Sequence, residues 1–114
     1  MDSNFLKKLS EGTTVELKRC SAKLPVSFWE TYSSFANTEG GTIYLGIVEK
    51  KNGGNEIVGV TNHDQICKDI INTANNFLKV SRNLLSPNDI QVIDIDGSKV
   101  ISVYIRPASR DEKP

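Results

Sequence analysis

The stretch Trp29-Glu-Thr-Tyr-Ser-Ser-Phe-Ala-Asn-Thr-Glu-Gly-Gly-Thr-Ile-Tyr-Leu-Gly-Ile-Val48 decides the fold. It reads as a helix, a glycine turn and a buried strand in immediate succession. Phe28, Trp29, Tyr32, Phe35 and Ala36 recur at the spacing that stacks side chains on one helical face. The run from Asn37 to Gly41 then stops the helix. Gly40 or Gly41 can take the left-handed conformation that ends helices, where a side chain would clash. From Thr42 to Val48 the residues are β-branched or large and apolar, apart from Gly46. That composition predicts a central strand covered on both faces.

Upstream, Ser3 to Ser10 reads as a short amphipathic helix, with Phe5, Leu6 and Leu9 on one face. Thr13 to Arg19 alternates, Val15 and Leu17 against Glu16 and Lys18, as a half-buried strand does. Ser21 to Leu24 forms a basic loop, and Pro25 suits the first turn of the next helix. Downstream, Gly53-Gly54 lets Ile57 to Val60 fold back on the central strand as a hairpin. A second helix is expected from about His63 to Val80. Asn62 would cap it, with Gln65 closing a capping box. Ile66, Cys67, Ile70, Ile71, Ala74, Phe77 and Leu78 form its apolar stripe. Residues 82–89 read as loop. Two strands, Ile90 to Ile95 and Lys99 to Arg106, flank Asp96-Gly97, whose residues tolerate the positive φ of a tight hairpin. The expected class is α+β: a mixed, largely antiparallel sheet with two main helices plus a short N-terminal helix.

The chain has 114 residues, enough for one domain, and its formal net charge is zero. A protein that binds through phosphates alone usually carries a basic excess, so only a local basic patch is compatible with this balance. Cys20 and Cys67 match no zinc spacing, and Cys67 falls on an apolar helix face. Neither a signal peptide nor a run of membrane-spanning length is present, which makes the expected location cytoplasmic.

Three sets of residues could carry chemistry. Gly40, Gly41 and Gly46 border a strand, but the helix precedes them; a phosphate loop needs strand, glycines, then helix. They are read as a tight turn with Asn37 and as a close backbone approach at Gly46. Glu11, Glu16 and Glu49 could converge if their strands are neighbours, and such a cluster holds a divalent cation that activates water. Lys18, Arg19 and Lys23, with Lys50 and Lys51, could form one basic patch for nucleic-acid backbone contacts. Trp29 and Tyr32 could stack on bases, but their spacing with Phe28 and Phe35 favours core packing. His63 has no evident partner.

Phe35-Ala-Asn-Thr-Glu-Gly-Gly-Thr-Ile-Tyr-Leu-Gly-Ile47 closely resembles the signature of the Schlafen-type, Alba-like DNA-binding domain. The upstream Thr14-Val-Glu-Leu-Lys18 resembles that family's Glu-aliphatic-Lys strand, and Leu24-Pro25 also fits. The resemblance implies a nucleic-acid-binding domain, with DNA as the partner, in a bacterial transcriptional regulator. It implies a single domain over residues 1–114, truncated at its C-terminal end and followed by further domains. Some eukaryotic Schlafen proteins are RNA endonucleases that use two glutamates five positions apart and a later aspartate. Glu11 and Glu16 have that spacing, while Glu49, a glutamate rather than an aspartate, stands near where the aspartate would come. The alternative function is therefore a metal-dependent endoribonuclease-like module, with Mg or Mn as cofactor; the main reading needs none. A third reading is a protein-interaction domain whose unpaired sheet edges make a homodimer.

Overall fold

The computed structural model describes Leu6, Leu9 and residues 11–20, 22–75 and 85–109. Among the described residues, six strands and two α-helices follow in the expected order, with one strand more than expected and a 3-10 turn within the stretch read as loop. Strand β1 is Val15–Lys18, helix α1 Ser27–Ala36, β2 Gly41–Leu45, β3 Ile47–Glu49, β4 Asn55–Ile57 and helix α2 His63–Ala74. The 3-10 turn Pro87–Asp89 leads into β5, Ile90–Ile95, and β6 is Ser98–Ile105. The class is α+β, with a four-stranded sheet ordered β1-β2-β6-β5. Only β1 and β2 are parallel; β2–β6 and β6–β5 are antiparallel.

Strand β2 is central, as its composition predicts, but it stops at Gly46. There φ is +100°, and a Cβ would meet the Gly59 carbonyl carbon at 3.0 Å. The chain bends, and β3 pairs with β4 as a separate antiparallel hairpin. The expected single strand from Thr42 to Val48 is thus two strands joined at a glycine bend. The Gly46 amide still donates to Lys18 O (2.8 Å), and its carbonyl accepts from Val58 and Gly59, so the bend is fully hydrogen-bonded.

The sheet separates two apolar layers. On one face Phe28, Tyr32 and Phe35 of α1 and Ile66 and Ile70 of α2 pack on Ile43, Leu45, Ile101 and Val103. On the other, Leu6, Ile47 and Leu9 cover Leu17, Tyr44 and Val100. Full burial of a side chain such as Phe28 stabilises by about 1.5–3 kcal/mol. At the end of α1, Gly40 has φ +81° and its amide donates to Phe35 O (2.9 Å). Gly41 follows where a Cβ would meet the Phe35 ring at 2.8 Å. The Asn37–Gly41 turn therefore needs both glycines, one for its dihedral and one for its space. Asp96 and Gly97 take φ of 52° and 88°, closing the β5–β6 hairpin as expected.

The start of α2 differs from expectation. Asn62 occupies the cap position without a capping hydrogen bond; its side chain is turned towards the 22–26 loop, where Nδ2 donates to Ala22 O (3.5 Å). Gln65 donates to Asp69 Oδ1 (2.9 Å), one turn along the helix, so no capping box forms. Pro25 precedes α1 rather than entering it, and its carbonyl accepts from the Phe28 amide (3.0 Å). The expected helix over residues 3–10 lies outside the described residues apart from Leu6 and Leu9. So does the expected stretch from residue 76 to 80, with Phe77 and Leu78.

Candidate nucleic-acid interface

One end of the sheet collects the loops that carry charge. Strands β1 and β2 are parallel, so both finish there, with Lys18 opposite Leu45. Both helices start there. Lys18 Nζ donates to Ser27 Oγ at the first residue of α1 (2.9 Å), and Asn62 ties the start of α2 to the 22–26 loop. The β5–β6 turn reaches the same end, where Val60 N donates to Lys99 O (2.8 Å). Lys50 lines a cleft of about 350 Å³ with Ile95, Asp96 and Ser98 of that turn.

Within this end the basic residues are not equivalent. The Lys18 side chain is only 11% exposed and sits 3.6 Å from Glu16 as well as on Ser27. It is a brace between β1 and α1. Lys99 is paired with Asp94. Arg19, Lys23, Lys50 and Lys51 are exposed, and among the described residues none of them makes an ion pair. Flexible, unpaired cations are the side chains that phosphates can engage. Of the five lysines and arginines expected to form one patch, Arg19, Lys23 and Lys50 belong to the crowded end. Lys51 continues from Lys50 at the tip of the β3–β4 hairpin. Ser27 escaped the sequence reading, because nothing in its neighbourhood marks it as a partner for Lys18.

The three glutamates occupy different surroundings. Glu11 Oε1 accepts from the Leu17 amide (3.2 Å), and the Gly12 amide donates to Val15 O (3.1 Å). Residues 11 and 12 thereby engage two outward-facing groups of β1, the Leu17 amide and the Val15 carbonyl. Glu16 points to the α1 side and pairs with Lys18. Glu49 lies exposed at the end of β3. Among the described residues no group of three or more His, Cys, Asp or Glu could hold a metal ion, so these carboxylates do not form such a site.

A second concavity opens beside the basic loop. It measures about 560 Å³ and runs between the 22–26 loop and α2, with Trp29 in its wall. Tyr32 is buried in the core as the helical spacing predicts, whereas Trp29 is half-buried at its margin. His63 lines a polar cleft with Ser98 and Lys99, and its Nε2 lies 3.4 Å from Asp64 Oδ1. The Cys20 thiol donates to Lys23 O (3.3 Å), holding the basic loop against the core. Burial pushes that thiol up to about 11. Cys67 is raised as well, by burial and by the nearby Asp64.

A four-stranded mixed sheet carrying two helices on one face and a glycine-bent hairpin on the other defines an AlbA-like domain. Residues 11–114 match the family described as Schlafen, AlbA_2, and the chain belongs to that family. No curated protein matches it. Among solved structures it is similar to the N-terminal domain of a protein from Nitrosomonas europaea described as ATP-dependent DNA helicase RecG-related. The TM-score is 0.74 at 25% identity, covering 97% of this chain and 74% of that one. It also shares its fold with the DIP2311 protein from Corynebacterium diphtheriae, with TM-score 0.52 and 19% identity. That match covers 84% of this chain but 20% of the other. Within the described residues no helix is long and apolar enough to cross a membrane.

Proposed function

We propose that this chain is a nucleic-acid-binding domain, with DNA as its partner, serving a transcriptional regulator. The observation that carries the reading is the set of exposed, unpaired cations Arg19, Lys23 and Lys50 at the sheet end where both helices begin. The family and the helicase-related description of the Nitrosomonas neighbour support it. The 14 Lys and Arg are balanced by 14 Asp and Glu, so no net charge draws the domain to phosphates and the contact rests on a local patch. Engagement of Arg19, Lys23, Lys50 and Lys51 would cost on the order of a hundredfold in affinity between about 50 and 200 mM salt. Fluorescence anisotropy of a labelled duplex measures this. Reversing Arg19 and Lys23 together to Glu should weaken binding and lower the salt slope by about two. Unchanged affinity in that double variant would remove this face from the interface. Lys18 is the wrong residue to reverse, because its loss would loosen β1 from α1.

A second reading, self-association, is favoured by a separate observation. Residues 11 and 12 engage the Leu17 amide and Val15 carbonyl on the β1 edge, whereas no described residue pairs with the outer edge of β5 beyond Ile90. An open edge accepts another strand, and β5 can pair antiparallel with its own copy about Val92. The separated glutamates give no support to metal-dependent cleavage.

A further inference from the structure

The nucleic-acid reading leaves the groove beside Trp29 unexplained. Lys23, Leu24, Pro25, Trp29, Asp69 and Thr73 line it, and Val26 at its mouth is 87% exposed. Its volume of about 560 Å³ lies in the range of small-molecule sites. The wall is rigid. Trp29 is held edge-on by Phe28 at 4.8 Å between ring centroids and inclined to Tyr32 at 5.2 Å. Both partners are buried in the core. Aromatic and proline surface on the walls suits a flat, apolar occupant. The polar atoms suit one that also carries hydrogen-bonding groups: Asp69 accepts, and Thr73 both donates and accepts. Gln65 fixes one Asp69 oxygen (2.9 Å).

We infer that this groove receives one unpaired nucleobase of a single-stranded nucleic acid, an inference that rests on the nucleic-acid-binding reading above. The distribution of charge argues for that occupant. The cation Lys23 stands in the lining with Arg19 just upstream on the exposed loop, where a phosphate would lie. The anion Asp69 lies in the same groove, where a phosphate would be repelled but an exocyclic amino group would be held. A base within a duplex is stacked on both faces and cannot enter; an unpaired one can stack on Trp29. Cytosine and adenine carry an amino group for Asp69 and thymine does not. Runs of dC and dA should therefore bind more tightly than runs of dT, by about tenfold, the size of one hydrogen bond to a charged group.

Trp29 is the single tryptophan, so its fluorescence reports on the groove directly. The test titrates the protein with short dC, dA and dT oligonucleotides and with a duplex, following Trp29 emission and the anisotropy of a label together. The expected result is quenching by dC and dA that saturates with the anisotropy, and little quenching by the duplex. Trp29→Leu should weaken single-strand binding roughly five- to hundredfold, the range for one lost stack, while leaving duplex binding in place. Because that change touches the core, Asp69→Ala is the second variant; it should erase the preference for dC over dT. Single strands that bind without disturbing Trp29, or without any preference among bases, would overturn the inference and leave the duplex reading standing. Failure of every oligonucleotide to bind would overturn both. Quenching by a hydrophobic dye but by no oligonucleotide would mark the groove as a protein-docking surface and overturn the inference.

Discussion

Asn55 shows how much a single side chain can hold. Among the described residues it is the one buried side chain that is neither aliphatic, aromatic nor a thiol, and its Nδ2 donates to Leu6 O (3.0 Å) and Leu9 O (2.6 Å). Through it the β3–β4 hairpin grips Leu6 and Leu9, which in turn cover Leu17 and Tyr44. Asn55→Ala would leave two carbonyls short of a donor. The expected loss is about 2 kcal/mol, read as a lower urea midpoint; a midpoint equal to the parent would show that water replaces the amide without cost. Gly46→Ala should also destabilise, by about 1–3 kcal/mol, since it forces a positive φ and a backbone contact at once. The two residues differ in legibility. Gly46 interrupts an apolar run, and a close approach there could be read from composition. Asn55 ends a glycine- and asparagine-rich turn, and nothing local distinguishes a buried asparagine from a solvated one. Lys18 is similar: alternation put it on the right face, but only Ser27 and Glu16 reveal that it is a brace.

At the scale of elements, periodicity carried the reading where one physical signal dominated. The α1 stripe, the glycine turn and the Asp96-Gly97 hairpin all appear where residue chemistry puts them. It fell short where tertiary contacts compete with local ones. The Asn62 side chain leaves its own helix to serve Ala22 O, a partner forty residues away. The sheet edges show the same dependence on context. Two strands with unremarkable sequences end up differently, because Glu11 and Gly12 fold back on β1 while nothing described covers Val92 and Asp94 of β5. In the two-residue hairpin Ile95 and Ser98 pair directly, so the amide of Val92 points outward. Its side chain is 43% exposed. If β5 pairs with its copy, light scattering should give a mass that rises with concentration, and Val92→Pro should return it to the monomer. Proline is tolerated on an outward-facing edge, so the variant should keep its circular dichroism. A parent protein that stays monomeric at high concentration would sink the self-association reading.

For the whole molecule, the sheet works as a partition with an apolar layer on each side, and the two layers carry acidic protons that resist ionisation. Cys20 is buried among the helices and Tyr44 under the hairpin. Burial raises both, Cys20 to about 11 from an ordinary 9.0; Cys67 is raised in the same direction. The sign follows from linkage. A raised native pKa means that the folded chain keeps its proton while the unfolded chain loses it. Stability is therefore undiminished below the unfolded value and falls as pH climbs through the folded one. The urea midpoint should hold steady up to about pH 8 and drop beyond 9, with Cys20 alone accounting for about 1 kcal/mol near pH 10. Cys20→Ala changes packing at every pH, so the quantity to compare is the slope of the alkaline decline. A shallower slope in the variant is the expected outcome. An identical slope would assign the decline to Tyr44 and Cys67, and would mean that the Cys20 thiolate finds water without unfolding the basic loop whose Lys23 carbonyl it now holds.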